Sequence, residues 1–184
     1  AVSSALPGEG KTTTVLALAR LAALSGEKVI VVDADLRRPR VHTALSIENT
    51  VGLTELLCGR QSLEQVVKRS TLGDAAFDVI TSGAITPHAT ELMRSQQMKA
   101  LLRRLAGLYA LVLVDGPPML PVADSKVLAT ITDKVIYVVR WQDTPRETVA
   151  YAVKQLREVG ADLAGVVLNH VDVRKQSEYG YGDS

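Results

Sequence analysis

Short β-branched runs alternate with stretches of helical period along nearly the whole chain, and this alternation restricts the fold more than any other feature. The runs "AVSS", "KVIVVD", "FDVITSG", "ALVLVD", "KVIYVVR" and "LAGVVLN" are strand-sized. Between them, Val15, Leu18, Ala19 and Ala22 fall on one helical face, and Gly26 suits the end of that helix. Met98, Leu101, Leu102 and Leu105 repeat the spacing within a helix predicted over Thr90–Ala106. Val149, Ala152, Val153 and Leu156 repeat it again. "GLTELL" and "SLEQVV" predict two short helices, and Asp124–Thr130 a third. Thr144, Pro145 and Glu147 have the order of a cap, a first-turn proline and a capping-box acid. Leu36–Thr50, polar and charged, reads mostly as loop.

Strands joined by helical crossovers make a mostly parallel sheet covered on both faces, so the expected class is α/β. The length of 184 residues suits one domain, placed at 1–170, with a polar, glycine-bearing flexible tail at 171–184. No apolar run approaches the ~20 residues of a membrane-spanning helix. "AVSS" reads as the end of a strand begun upstream, so the chain reads as an excised domain. A formal net charge of +1 gives no nucleic-acid footprint. Cys58 is the single cysteine, which excludes an internal disulfide and predicts a small buried apolar residue. His42, His88 and His170 lack metal-ligand spacing.

In parallel α/β sheets, ligands bind beyond the carboxyl ends of the strands. Lys11, Asp33, Asp35, Asp115 and Asn169 all follow an apolar strand. "PGEGKTTT" joins the first strand to the first helix. Such a turn cradles phosphate with backbone N–H groups and the helix N-terminus. Gly8 and Gly10 allow close approach, with Glu9 between them. Lys11 can reach the β- and γ-phosphates, the Thr12 hydroxyl can bind Mg²⁺, and Thr13 can contact the α-phosphate. Ala5 stands where the usual pattern has glycine. Asp33 and Asp35, two apart after a strand, face one side of an extended chain. Asp115 ends a buried strand, the place for an acid that supports Mg²⁺. One acid can steady the metal while another accepts a proton from a hydroxyl.

These three elements resemble the catalytic domain of bacterial tyrosine kinases of capsule and exopolysaccharide export, with a P-loop NTPase-like fold. "PGEGKTTT", "VVDADLRRP" and "YALVLVDGPPMLPVADS" match the family's three motifs, and "VGLTELLCG", "TPRETV" and "LAGVVLNHVD" follow in the expected order. The resemblance implies ATP and Mg²⁺ as cofactors. It implies Lys11 and Thr12 at the phosphates and metal, Asp33 and Asp115 supporting the metal, and Asp35 or Asp33 as base. Asn169 looks like the adenine-reading amide. Tyr179 and Tyr181 in "SEYGYGDS" become phospho-acceptors presented between subunits of a homo-oligomeric ring. A membrane activator, a cognate tyrosine phosphatase and a cytoplasmic domain tethered to the inner membrane are further expectations of the resemblance. Departures are Gly116 in place of a threonine and Ala110 in place of an aspartate. The same fold also serves partition or septum-positioning ATPases, but Leu6 stands where those have a second lysine. A nucleotide-dependent assembly module is the non-enzymatic alternative.

Overall fold

Among the described residues, seven strands form one sheet: β1 (Val2–Ser4), β2 (Val29–Asp33), β3 (Val67–Leu72), β4 (Ala75–Ile80), β5 (Leu111–Asp115), β6 (Val135–Arg140) and β7 (Leu163–Asn169). The computed structural model describes residues 1–120, 124–172 and 174. Tyr179 and Tyr181 lie outside them. The strand order is β3-β4-β2-β5-β1-β6-β7, parallel throughout except for the antiparallel β3–β4 pair. The first strand therefore sits inside the sheet, between β5 and β6.

The β-branched runs become strands because both faces are covered. All five residues of β2 are buried. Helix α1 (Lys11–Leu24) lays Val15, Leu16 and Ala19 on one face, against Val31, Phe77, Val79 and Leu113. It stops at Ser25, followed by Gly26 in the left-handed region (φ 85°), as its sequence implies. Helices α5 (Ala89–Arg94), α6 (Gln96–Ala106), α7 (Asp124–Ile131) and α8 (Arg146–Glu158) lie on the opposite face. Met98, Leu101, Leu102 and Leu105 of α6 are all buried there. The short helices α3 (Leu53–Leu57) and α4 (Leu63–Val66) add Leu53, Leu57, Leu63 and Val66 to the same layer.

Several local expectations are corrected. "SLEQVV" leaves the helix at Val67, whose extended backbone begins β3. This edge strand is mostly polar, and a turn with Gly73 at φ 63° folds it onto β4. Within Leu36–Thr50 the five-residue helix α2 (Val41–Leu45) forms because Val41 finds the α1-side core. The helix expected over Thr90–Ala106 is two. Ser95 is extended (φ −65°, ψ 155°), and its hydroxyl accepts the Met98 N–H at 3.1 Å, starting a new helix. Thr144 does not cap α8, which begins after Pro145; its hydroxyl is engaged elsewhere. Cys58 is exposed rather than buried, because it follows the last turn of α3 on the solvent side.

Strand β7 differs from the rest. Residues 164–168 are all exposed, and a groove of about 910 Å³ runs between β7 and α8, lined by Trp141, Pro145, Val149, Val153, Val166 and Leu168. Trp141 thus borders a groove instead of filling the core.

Ser95→Ala removes the cap that divides α5 from α6. Urea denaturation is expected to show a loss of about 1 kcal/mol. An unchanged midpoint would mean that packing alone sets the break.

Candidate active site

The phosphate loop follows β1 and is shaped by two left-handed glycines, Gly8 at φ 81° and Gly10 at φ 95°. Glycine is required at 10 for space as well. A Cβ there would lie 1.8 Å from Asn169 Nδ2. Ala5 is fully buried beside Met119 and Tyr137, so this loop packs with a methyl group where glycine is usual.

Lys11 opens α1 and is only 8% exposed. Its Nζ donates to Ser4 Oγ at 3.2 Å. Burial pulls its pKa down, while the negative charges of Asp115, Asp35 and Glu9 oppose that shift. The Thr12 hydroxyl donates to Asp115 Oδ2 at 2.6 Å. Asp115 Oδ1 is buried with no hydrogen-bond partner among the described residues. Thr13, in the first turn of α1, is exposed.

Asp33 and Asp115 are register partners on adjacent strands. Asp33 is fully buried; Oδ1 accepts the Asp35 N–H at 3.3 Å and Oδ2 accepts the Val41 N–H at 3.1 Å. Burial first, and then the negative charge of Asp115, push its pKa up to about 8. Burial also pushes Asp115 up to about 6, opposed by the Thr12 hydroxyl and the Lys11 ammonium. β2 ends at Asp33, so Asp35 lies in the turn beyond it and not in the extended chain that the sequence suggests. Asp35 is half-buried, and Oδ1 accepts N–H groups of Arg37 at 3.3 Å and Arg38 at 2.9 Å. Its charge is felt by both Lys11 and Asp115, which places it at the same rim.

Asn169 reaches the site from the end of β7 and donates to the Glu9 carbonyl at 3.0 Å. Glu9, expected among the nucleotide-binding residues of the loop, lies at the site, and Arg37 supports the site from the Asp35 turn. Glu9 is only 2% exposed, and its side chain is folded back into the protein. Arg37 ties the Asp35 turn to α7 and α5, through Asp124 at 3.1 Å and the Thr90 hydroxyl at 2.9 Å. A buried aspartate 87 residues further along the chain leaves no sequence signal for its partner. At Gly116 a Cβ would meet the Val2 carbonyl at 3.2 Å and Leu128 Cδ1 at 3.3 Å, so a threonine here would displace β1 or α7. Ala110 precedes β5, at the far end of the strand from Asp115.

The donor set fits Mg²⁺. Asp115 offers a buried, unpartnered carboxylate oxygen, and the Thr12 hydroxyl lies against the same group. Mg²⁺ takes one or two such oxygens and fills its remaining positions with phosphate and water. Among the described residues no group of three or more His, Cys, Asp or Glu is arranged to hold a metal.

A family model described as an AAA domain matches residues 1–165. Tyrosine-protein kinase YwqD of Bacillus subtilis is 43% identical over 180 residues, covering 98% of this chain and 75% of that protein. The chain belongs to the bacterial tyrosine-protein kinases. Tyrosine-protein kinase etk of Escherichia coli K12 is 35% identical over 98% of this kinase-family chain, which spans 24% of that longer protein. The solved kinase domain of Escherichia coli ETK superposes with a TM-score of 0.90 at 35% identity, over 99% of this chain and 71% of that one. No helix among the described residues is long and apolar enough to cross a membrane.

The raised carboxyl pKa values predict how this kinase-family domain responds to pH without nucleotide. Both acids hold their protons more tightly folded than unfolded, where an aspartate titrates near ~4. Their stabilising contribution is complete below that value and is lost as pH rises through about 6 for Asp115 and about 8 for Asp33. Melting temperature should therefore fall as pH rises from about 4 to about 8 and level off above that, with Asp33 contributing on the order of 1 kcal/mol per pH unit at most. Asp33→Asn should flatten this slope in a thermal-shift series. A slope identical to wild type would show that Asp33 is already ionised at neutral pH.

Proposed function

We propose that this domain transfers the γ-phosphoryl group of ATP to a tyrosine hydroxyl. The observation that supports the reading most directly is the convergence of Lys11, Thr12 and Asp115 beneath a glycine-shaped anion cradle, with Asp35 at its rim. The loop amides and the N-terminus of α1 bind the phosphates. Lys11 exchanges its Ser4 contact for the β- and γ-phosphate oxygens. Thr12 and Asp115 are the residues that would hold Mg²⁺, which when bound would supply charge neutralisation for the phosphates. Asp33 has both oxygens committed to backbone amides, so it supports Asp115 from behind and does not reach the ligand.

An incoming tyrosine has a pKa of about 10 and arrives protonated. Asp33 is fully buried, whereas Asp35 is half-buried at the mouth. Asp35 is therefore the base: it takes the phenolic proton as the new P–O bond forms and the bond to the β–γ bridging oxygen breaks, releasing ADP. Asn169 braces the loop through Nδ2, which leaves its carbonyl oxygen to read the adenine amino group.

The finer reading follows the resemblance. Tyr179 and Tyr181 are acceptors, presented by one subunit to the site of its neighbour in a ring. Each phosphate adds about −1.5 to −2 charge to the tail, which then leaves the site and loosens the ring. Such a cycle, tied to a membrane activator and reset by a phosphatase, would regulate polysaccharide export.

Incubation with ATP and Mg²⁺ followed by mass-spectrometric mapping tests the reaction. Phosphotyrosine is expected on the tail, reduced by roughly 10²-fold or more in Lys11→Met. Free phosphate without phosphotyrosine would assign the domain to ATP hydrolysis. Nucleotide-dependent assembly without either product would assign it to a packing role.

A further inference from the structure

The residue between the two loop glycines is held from three separate parts of the fold. Glu9 Oε2 accepts the Leu6 N–H at 2.6 Å, within the loop itself. Glu9 Oε1 accepts the hydroxyl of Thr144, from the turn between β6 and α8. The Glu9 carbonyl accepts Asn169 Nδ2 at 3.0 Å, from the end of β7. The Thr144 hydroxyl also accepts the Arg140 N–H at 3.3 Å. A backbone N–H can only donate, so this contact directs the hydroxyl's own hydrogen toward Glu9. Threonine at the head of a helix ordinarily caps it, but here α8 starts without a side-chain cap and the hydroxyl serves the loop.

We propose that Thr144 is a positioning residue for the phosphate loop, acting through the buried carboxylate of Glu9. A carboxylate inside an anion cradle opposes the ligand by like-charge repulsion. Glu9 is 2% exposed and carries two hydrogen-bond donors, which hold its charge back within the protein. Its carbonyl is turned to Asn169, and in a trans peptide the Gly10 N–H then points the opposite way. Thr144 thus secures the side chain and Asn169 the backbone of one residue. Without the Thr144 hydroxyl, the carboxylate keeps one donor in a buried site. A buried charge short of partners swings out toward solvent or takes up a proton. Either response disturbs the loop that must receive phosphate.

The inference rests on the loop being a nucleotide site, and its test separates the two claims. Mg²⁺–ADP affinity is measured by calorimetry on the whole chain, with melting temperature recorded for each variant. Thr144→Val, nearly isosteric, should weaken binding by about 10-fold. Thr144→Ser keeps the hydroxyl and should bind within about 3-fold of wild type. Glu9→Gln removes the charge that needs restraint, so adding Thr144→Val to it should weaken binding by less than about 3-fold. In wild-type turnover with ATP, Thr144→Val should raise KM far more than it lowers kcat. Wild type that fails to bind Mg²⁺–ADP overturns the nucleotide reading and this inference together. Wild type that binds while Thr144→Val binds equally well overturns the role of Thr144 alone. Equal weakening in the serine and valine variants, or a full valine effect in the Glu9→Gln background, also overturns it.

Discussion

An ammonium group taken almost out of water is tolerated only where negative charge compensates for the lost hydration. Lys11 is that group, and much of the sheet's carboxyl rim can be understood as its counterweight. Asp115, Asp35 and Glu9 all act on it, and Ser4 accepts its hydrogen bond. The same crowding makes the acids awkward neighbours. Asp33 and Asp115 face each other across two parallel strands, and burial, with the charge of Asp115 acting on Asp33 and that of Asp35 on Asp115, leaves both reluctant to ionise. A divalent cation accompanied by phosphate would relieve this frustration, by adding positive charge beside the acids and negative charge beside the lysine. The site is thus poorly satisfied by its own residues, as a site built for a charged ligand should be.

The sheet order explains why these groups meet. Lys11 follows β1, Asp33 ends β2 and Asp115 ends β5, and β5 lies directly between the other two strands. Asn169 ends β7, two strands from β1 on the other side. Groups far apart in sequence converge because parallel strands present all their carboxyl ends at one edge.

Much of this was legible before the structure. The alternation of β-branched runs with helical periods gives the parallel sheet, and the glycine loop with acids at strand ends gives the site. The gaps have physical causes. Strand β3 is largely polar and lies at an edge, so it lacks the apolar run that marks a buried strand. Ser95 sits in an unbroken helical spacing and interrupts it by claiming a backbone N–H. Thr144 has the sequence context of a cap, yet a buried carboxylate from the distant loop competes for its hydroxyl. No local pattern pairs Arg37 with Asp124, which only the packing of α7 brings to it. In each case a long-range partner overrides a local preference, and a linear pattern holds no record of that partner.

The interior place of β1 bears on how the chain acquires its shape. Its only neighbours are β5 and β6, both from the later part of the sequence. By contrast, β3 and β4 close on each other through a tight hairpin. Contacts between distant segments are slow to form. During synthesis, the glycine loop emerges before the strands beside it and has no walls until β5 and β6 have left the ribosome. It gains its Asn169 brace only when β7 follows. The earliest-made part of the site is therefore the last to be organised.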